Sequence, residues 1–260
     1  TGVHGVKIGH HGPNFHLADE PEEHLRQLDA ATQRFLAGGV TSIGDCQVTR
    51  REFDMYLRLA EAGRLELRVS MYLLSHLLDE ALEMGLVGQF GNAHLSFAGI
   101  KFYADGTLGG WTAYFPDGYV GDPCRTGQLY HEPADYAELI RKAHAAGLQT
   151  ATHAQSPTAI EMVVSAIEAA LAERPDADAR HRIEHCGLPT PAQIEAGWEV
   201  TNWMKDHAEI LGVDYLIWQD KIWSLARDDE GWRDYTRGTD ITTRHQDHLH
   251  VTLADSGGGA

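Results

Sequence analysis

Short apolar runs alternate with helical patterns along the first 190 residues of the chain. Residues 22–37 (EEHLRQLDAATQRFLA) set Leu25, Leu28, Ala31, Phe35 and Leu36 on one helical face, and Gly38-Gly39 follows as a stop. A strand is predicted over 40–45. The alternation continues with helix 50–62, strand 66–74, helix 76–85, strand 96–104, helix 134–146, strand 148–153, helix 157–172 and strand 181–186. Parallel neighbours need a crossover connection and a helix supplies it, so this rhythm predicts βαβ units and a parallel sheet of five strands. Beyond Pro191 the texture changes: five of the six tryptophans, Trp198, Trp203, Trp218, Trp223 and Trp232, fall between residues 198 and 232. There the pattern predicts a helix at about 198–211 stopped by Gly212, then strands VDYLIW and KIWSL around a turn at Gln219-Asp220. A polar loop and a last strand, HLHVTL, complete an antiparallel α+β segment. The expected division is 1–195 and 196–260.

Composition narrows the partners. At 260 residues and 43% hydrophobic, the chain can bury a substantial core. A net charge of -17, from 38 acidic against 21 basic residues, repels phosphate backbones and anionic membranes, so neither nucleic acid nor membrane is an expected partner. No apolar run approaches the roughly 18 residues of a membrane span, and the N-terminus shows no basic segment leading into an apolar one. Cys46, Cys124 and Cys186 are odd in number, widely spaced and without a CxxC pair, which points to a reducing, cytoplasmic compartment. The chain begins at Thr1 and not at Met, so it is expected to be a fragment.

Candidate chemistry sits at the strand ends. Lys101, His153 and His185 close the runs GIKFYADG, LQTATHAQ and HRIEHCG. In a parallel α/β barrel the C-terminal strand ends converge on one rim, so residues distant in sequence meet around one pocket. Two imidazoles and a lysine there suggest a metal hydrolase. His76, His94, His131 and His144 read as core or loop residues, and Cys186 as a small buried hydrophobe. The stretch from Gly106 to His131, about 25 residues rich in Gly and aromatics, exceeds the usual connection and is expected to shape specificity.

Four segments carry a family resemblance: GVTSIGD (39–45), GIKFYADGTLGG (99–110), GLQTATHAQSPTA (147–159) and RHRIEHCGLPTPAQI (180–194). From about Glu22 to Ile194 the chain resembles the amidohydrolase superfamily, in particular its YtcJ-like group, amidohydrolase family 3. The resemblance implies a (β/α)8 TIM-type barrel with a small accessory β-domain, and hydrolysis of non-peptide C–N bonds in a small-molecule amide or cyclic amide by metal-activated water. It implies divalent metal, zinc first among the choices, as one or two ions in a complete site. Lys101 as a carbamate would bridge two ions, and His153 and His185 would bind one. Asp105, with Thr107, follows Lys101 on the mouth-facing loop, where it would orient the ligands as a minor catalytic candidate. The family's HxH pair should lie upstream, yet His4, His10, His11 and His16 do not have that spacing; its strand-eight Asp should lie well beyond strand six. The expected fold is therefore a partial (β/α)8 barrel of about five strands, without strand one and strands seven and eight, followed by a small α+β segment. Such a barrel is expected to be impaired as an enzyme and to need a homo-oligomer or a complementing chain over its open edges.

The tail has a resemblance of its own. Residues 198–253, ending in His245, His248 and His250, resemble the C-terminal half of an M15/LAS-type zinc peptidase-like domain. Strand alternation sets His248 and His250 on one face, as two groups meeting one ion require. The resemblance implies His250 as a zinc ligand and His248 as its catalytic neighbour, in an alternative peptidase or cell-wall module for which secretion would be expected. His207 and Asp214 reproduce that family's H-x6-D spacing out of place, and read as coincidence. The two resemblances together also fit an inactive fusion or chimera.

Overall fold

The computed structural model describes residues 21–176, 178–237, 243–245 and 249–253. His4, His10, His11, His16 and His248 lie outside the described residues. The chain is a mixed α/β fold: a partial TIM-type parallel sheet with its helices, and a small antiparallel sheet. The elements run α1 (Pro21–Ala37), β1 (Ser42–Val48), α2 (Arg50–Glu61), β2 (Arg68–Leu74), a 3₁₀ turn (Ser75–Leu77), α3 (Leu78–Glu83), β3 (Phe90–Gly91) and β4 (Leu95–Tyr103). They continue with α4 (Pro133–Ala145), β5 (Gln149–Ala154), α5 (Pro157–Glu173), β6 (Arg182–His185) and α6 (Pro191–Asp206). After these come α7 (Ala208–Leu211), β7 (Val213–Trp218), β8 (Lys221–Ser224), a 3₁₀ segment (Leu225–Glu230), β9 (Arg233–Asp234) and β10 (His250–Leu253).

The larger sheet has the order β1-β2-β4-β5-β6, with the two-residue β3 antiparallel to β4. β1 with β2 and β2 with β4 pair in parallel, Leu74 facing Lys101 in register. Local signals explain the helices between them. Thr49 caps α2 in a reciprocal capping box with Glu52, and Gly63 and Gly85 end α2 and α3 in the left-handed region that a side chain resists. β4 reads LSFAGIKFY, an almost unbroken apolar run, because a central parallel strand is covered on both faces. Ser96 and Lys101 are its polar members, and at Gly99 a Cβ would collide with the carbonyl of Gln149, so the sheet admits no side chain there.

Two compact units divide the chain. The first holds the described parts of residues 1–102, 132–152 and 165–182. Its interior includes Phe97, Ile100, Phe102, Tyr136, Ile140 and Leu148, all fully buried. Phe102 meets Tyr136 edge to face at 6.0 Å, and the Tyr136 hydroxyl is satisfied by Thr152 Oγ1 at 2.7 Å. Tyr72 reaches Gln149 Oε1 at 2.6 Å, with the Arg182 guanidinium over its ring.

The second unit holds residues 103–131, 153–164 and the described part of 183–260. Its antiparallel sheet has the order β10-β7-β8-β9. The β7–β8 turn sets Gln219 and Asp220 at φ 47° and 61°, the paired positive values a tight hairpin demands. Beneath the sheet Ala208, Val213, Leu216 and Trp223 form a small core, covered by Met204, Trp232, Leu249 and Val251. The tail helix begins earlier than periodicity predicts. The Thr190 hydroxyl accepts from the backbone N–H of Gln193 and the Thr190 N–H donates back to Gln193 Oε1, with Pro191 in the first turn, so α6 runs unbroken from Pro191 to Asp206 across the change of texture.

Candidate functional site

In the second unit the chain emerging from β4 is pinned to the end of β5. Ala104 N–H donates to the carbonyl of His153 at 2.8 Å, and Tyr130 N–H donates back to Ala104 at 2.9 Å. Asp105 follows, with no exposed surface. Its carboxylate faces backbone donors: Oδ1 accepts from Gln155 N–H at 2.9 Å, and Oδ2 from Ser156 N–H at 3.0 Å and Tyr114 N–H at 3.1 Å. A buried carboxylate is tolerable when its lone pairs are met in this way. Gly106 comes next, packed so closely on Thr112 that no Cβ fits.

His153 is buried and lies over this turn. Its Nε2 is 2.7 Å from the carbonyl of Gly106, and since a carbonyl only accepts, that nitrogen carries the proton. Nδ1 then holds the lone pair in the neutral ring. The Asp105 carboxylate stands 4.0 Å from Nε2, and Tyr103 packs against the ring at 5.3 Å between centroids. His185 meets the same ring edge to face at 4.7 Å. It is exposed, and both it and Cys186 adopt left-handed backbone conformations, φ 72° and 46°. Two successive non-glycine residues at positive φ are costly, and such strain concentrates where a side chain must be aimed. Gly187 N–H and Leu188 N–H then return the chain to the carbonyls of Ala154 and Gln155.

The structure thus brings His153, His185 and Asp105 together within the second unit. Lys101 is a residue of the first unit, buried on β4. The donor set fits a divalent cation in part. Two imidazoles suit zinc and its neighbours, and a ligand histidine ordinarily donates its other N–H to a carbonyl or carboxylate, as His153 does. Among the described residues, however, no group of three or more His, Cys, Asp or Glu side chains converges to hold an ion.

The long loop of residues 106–131 is built, not loose. Phe115 N–H bonds Thr126, Tyr119 N–H bonds Arg125, Gln128 N–H bonds Thr112, and the Tyr119 hydroxyl donates to Ala113 at 2.9 Å. Trp111, at φ 58°, stacks on Tyr119 at 5.4 Å, and the Arg125 guanidinium lies 5.3 Å from its ring.

In the tail, His250 on β10 stacks on Tyr215 at 5.5 Å and meets His245 at 4.8 Å, while its Nε2 lies 2.9 Å from Thr252 Oγ1. His207 Nδ1 donates to the carbonyl of Trp203 at 2.8 Å. None of Cys46, Cys124 and Cys186 is disulfide-bonded.

Sequence reasoning missed two features. One is the carbonyl of Gly106, which orients His153 but belongs to the backbone. The other is a pair of imidazoles in the first unit: His181 Nε2 bonds His144 Nδ1 at 3.0 Å, and His144 Nε2 donates to the carbonyl of Arg174 at 2.7 Å. No helix among the described residues is long and apolar enough to cross a membrane.

Comparison with known proteins places the chain. The model of the amidohydrolase family matches residues 8–199, and a second model, described as VldE, C-terminal domain, matches residues 175–246. YtcJ of Bacillus subtilis (strain 168), which is named as an amidohydrolase, is 31% identical over 155 residues, covering 58% of this chain and 27% of its own length. Protein LONG AFTER FAR-RED 3 of Arabidopsis thaliana is 29% identical over 178 residues, covering 63% of this chain and 30% of its own. Among solved structures, an uncharacterized metal-dependent hydrolase from Pyrococcus horikoshii OT3 is similar with TM-score 0.60 at 29% identity, over 67% of this chain and 35% of that one. One from Pyrococcus furiosus gives TM-score 0.61 at 28% identity, over 71% and 40%. The chain thus spans less than half the length of each of these relatives. With the strand order, the histidines at the strand ends and a family match over residues 8–199, the chain belongs to the amidohydrolase family.

Proposed function

We propose that this chain carries part of the active site of a metal-dependent hydrolase that cleaves non-peptide C–N bonds in a small amide or cyclic amide. The observation that carries the reading is the His153–His185 pair, with the Nε2 of His153 held on the Gly106 carbonyl, so that Nδ1 would be the ligating nitrogen. The metal-dependent hydrolases of similar fold support a divalent cation, and the imidazole donors favour zinc. His153 and His185 would hold it, with Lys101, as a carbamate, the third candidate by family resemblance. A cation so held supplies Lewis-acid polarisation of a carbonyl and makes a nearby water more acidic. The protein's part is to orient His153 and to present the pair beside a prefolded loop. Because the family's HxH pair and late Asp are not among the motifs of this sequence, activity in the isolated chain is proposed to be weak.

The test is metal content of the purified chain by elemental analysis, wild type beside His153→Ala and His248→Ala. Stoichiometric divalent metal lost only in His153→Ala supports the reading. Metal lost only in His248→Ala transfers the function to the tail, and a wild type without metal overturns the proposal for this chain.

A further inference from the structure

We infer that Asp105 is the positioning residue of His153, and that it acts through the backbone N–H groups its carboxylate accepts from. The inference rests on the proposed role of His153 but not on whether a metal is bound. Three bonds to one buried carboxylate clamp two pieces of chain: Gln155 and Ser156 just beyond His153, and Tyr114 in the long loop. Asp105 is also the residue before Gly106, whose carbonyl receives the His153 proton. The two ends of the His153 hydrogen bond are thus held by a single side chain. The ring cannot turn over while the carbonyl stays in place, and the carbonyl cannot leave while the clamp is closed.

The turn is also held from the main chain around Asp105. Ala104 N–H bonds the His153 carbonyl on one side, and Asp105 pairs with Leu129 in an isolated antiparallel bridge. Asparagine at 105 keeps the size but has one acceptor oxygen. Its NH2 group would face backbone N–H donors, so at least one clamp bond is lost and the Gly106 carbonyl is released. Asp105 also ties Tyr114 to the same centre, so the loop that shapes the mouth and the ring that faces it share one anchor. A displaced loop would be felt at His153 without touching it.

The experiment is side-chain nitrogen NMR of histidine in the full chain, metal-free, comparing wild type with Asp105→Asn. Wild type should show His153 as a single Nε2–H tautomer with a slowly exchanging ring proton. Asp105→Asn should lose that protected proton and show exchange between the two tautomers, while the His144 and His181 signals remain as in wild type. A folded Asp105→Asn that keeps a single protected Nε2–H overturns the inference, as does a wild-type His153 protonated at Nδ1. If Asp105→Asn does not fold, wild type decides through couplings across the hydrogen bonds. Those from the Gln155, Ser156 and Tyr114 amides to the Asp105 carboxylate, and from His153 Nε2 to the Gly106 carbonyl, must all appear, and absence of any one overturns the inference. Because no metal is present, a failed metal assay leaves this result standing, and the converse holds.

Discussion

Acidification should loosen the first unit through His181, whose position fixes every proton around it. Its Nδ1 accepts from the Thr150 backbone N–H at 3.1 Å, which makes Nε2 the donor to His144 Nδ1; His144 Nε2 then donates to the Arg174 carbonyl. A proton added to His181 Nδ1 faces the Thr150 N–H directly, although the Thr150 hydroxyl, at 3.0 Å, can turn to accept it. Burial, reinforced by the neighbouring His144, pushes the His181 pKa down to about 4, against a small opposing pull from Asp176. The folded value lies below the unfolded one, so the unfolded chain takes up the proton first as pH falls. The contribution of His181 to stability is therefore complete above about pH 6.5, declines between 6.5 and about 4, and is flat below that. A fully sealed ring would lose about 3 kcal/mol over that window, but His181 is only half-buried and solvent screens part of the effect, leaving roughly 1–2 kcal/mol. Urea unfolding of wild type and His181→Asn from pH 7 to pH 4 isolates the contribution, because the carboxylates titrate in both proteins. The wild type should lose roughly 1–2 kcal/mol more than the variant. Parallel stability curves for the two proteins would refute the assigned proton arrangement.

Two substitutions test the packing. Gly99→Ala drives a Cβ into the backbone of Gln149 and should cost about 3 kcal/mol in chemical denaturation; a loss under about 0.5 kcal/mol would mean that the strands do not approach as described. Trp223→Ala empties the small core under the antiparallel sheet and removes the bond from its indole N–H to Asp228 at 2.8 Å. It should cost about 3–5 kcal/mol, read by fluorescence-detected unfolding, and an unchanged midpoint would show that the core contributes little.

Much of this architecture was legible because it rests on patterns that repeat. The five parallel strands of the larger sheet fall where the apolar runs predict them, to within a few residues, since β2, β4 and β5 are buried almost throughout and successive strands are punctuated by helices. The Gln219-Asp220 turn was legible for a similar reason: two apolar runs with two polar residues between them leave little choice. The two-residue β3 and β9 are too short to leave a period. The start of α6 was misplaced at Trp198 although Thr190, Pro191 and Gln193 spell its cap, because the change of texture lies further along than the cap. His153 and His185 lie at or beside the ends of their strands and Lys101 two residues before the end of its own, close to where the apolar runs put them. The clamp on Asp105 was not legible, since its partners are amides that every residue carries and only the folded chain selects which three. The His144–His181 pair was hidden for another reason: the two residues lie 37 positions apart, and no motif joins them.

The reversal at His185-Cys186 has a consequence for how the chain could have been assembled. Those two left-handed residues, followed by Gly187 and Leu188 bonded to the end of β5, turn the backbone before Thr190 starts a new helix. Direction is thus set upstream of Pro191, by the residues that follow β6 and bond back to the end of β5. Whatever helix follows inherits its heading from that turn and needs only a cap and an apolar stripe to continue. The turn is a natural splice point, at which a sequence of different texture can be attached without re-solving the geometry of its first residues.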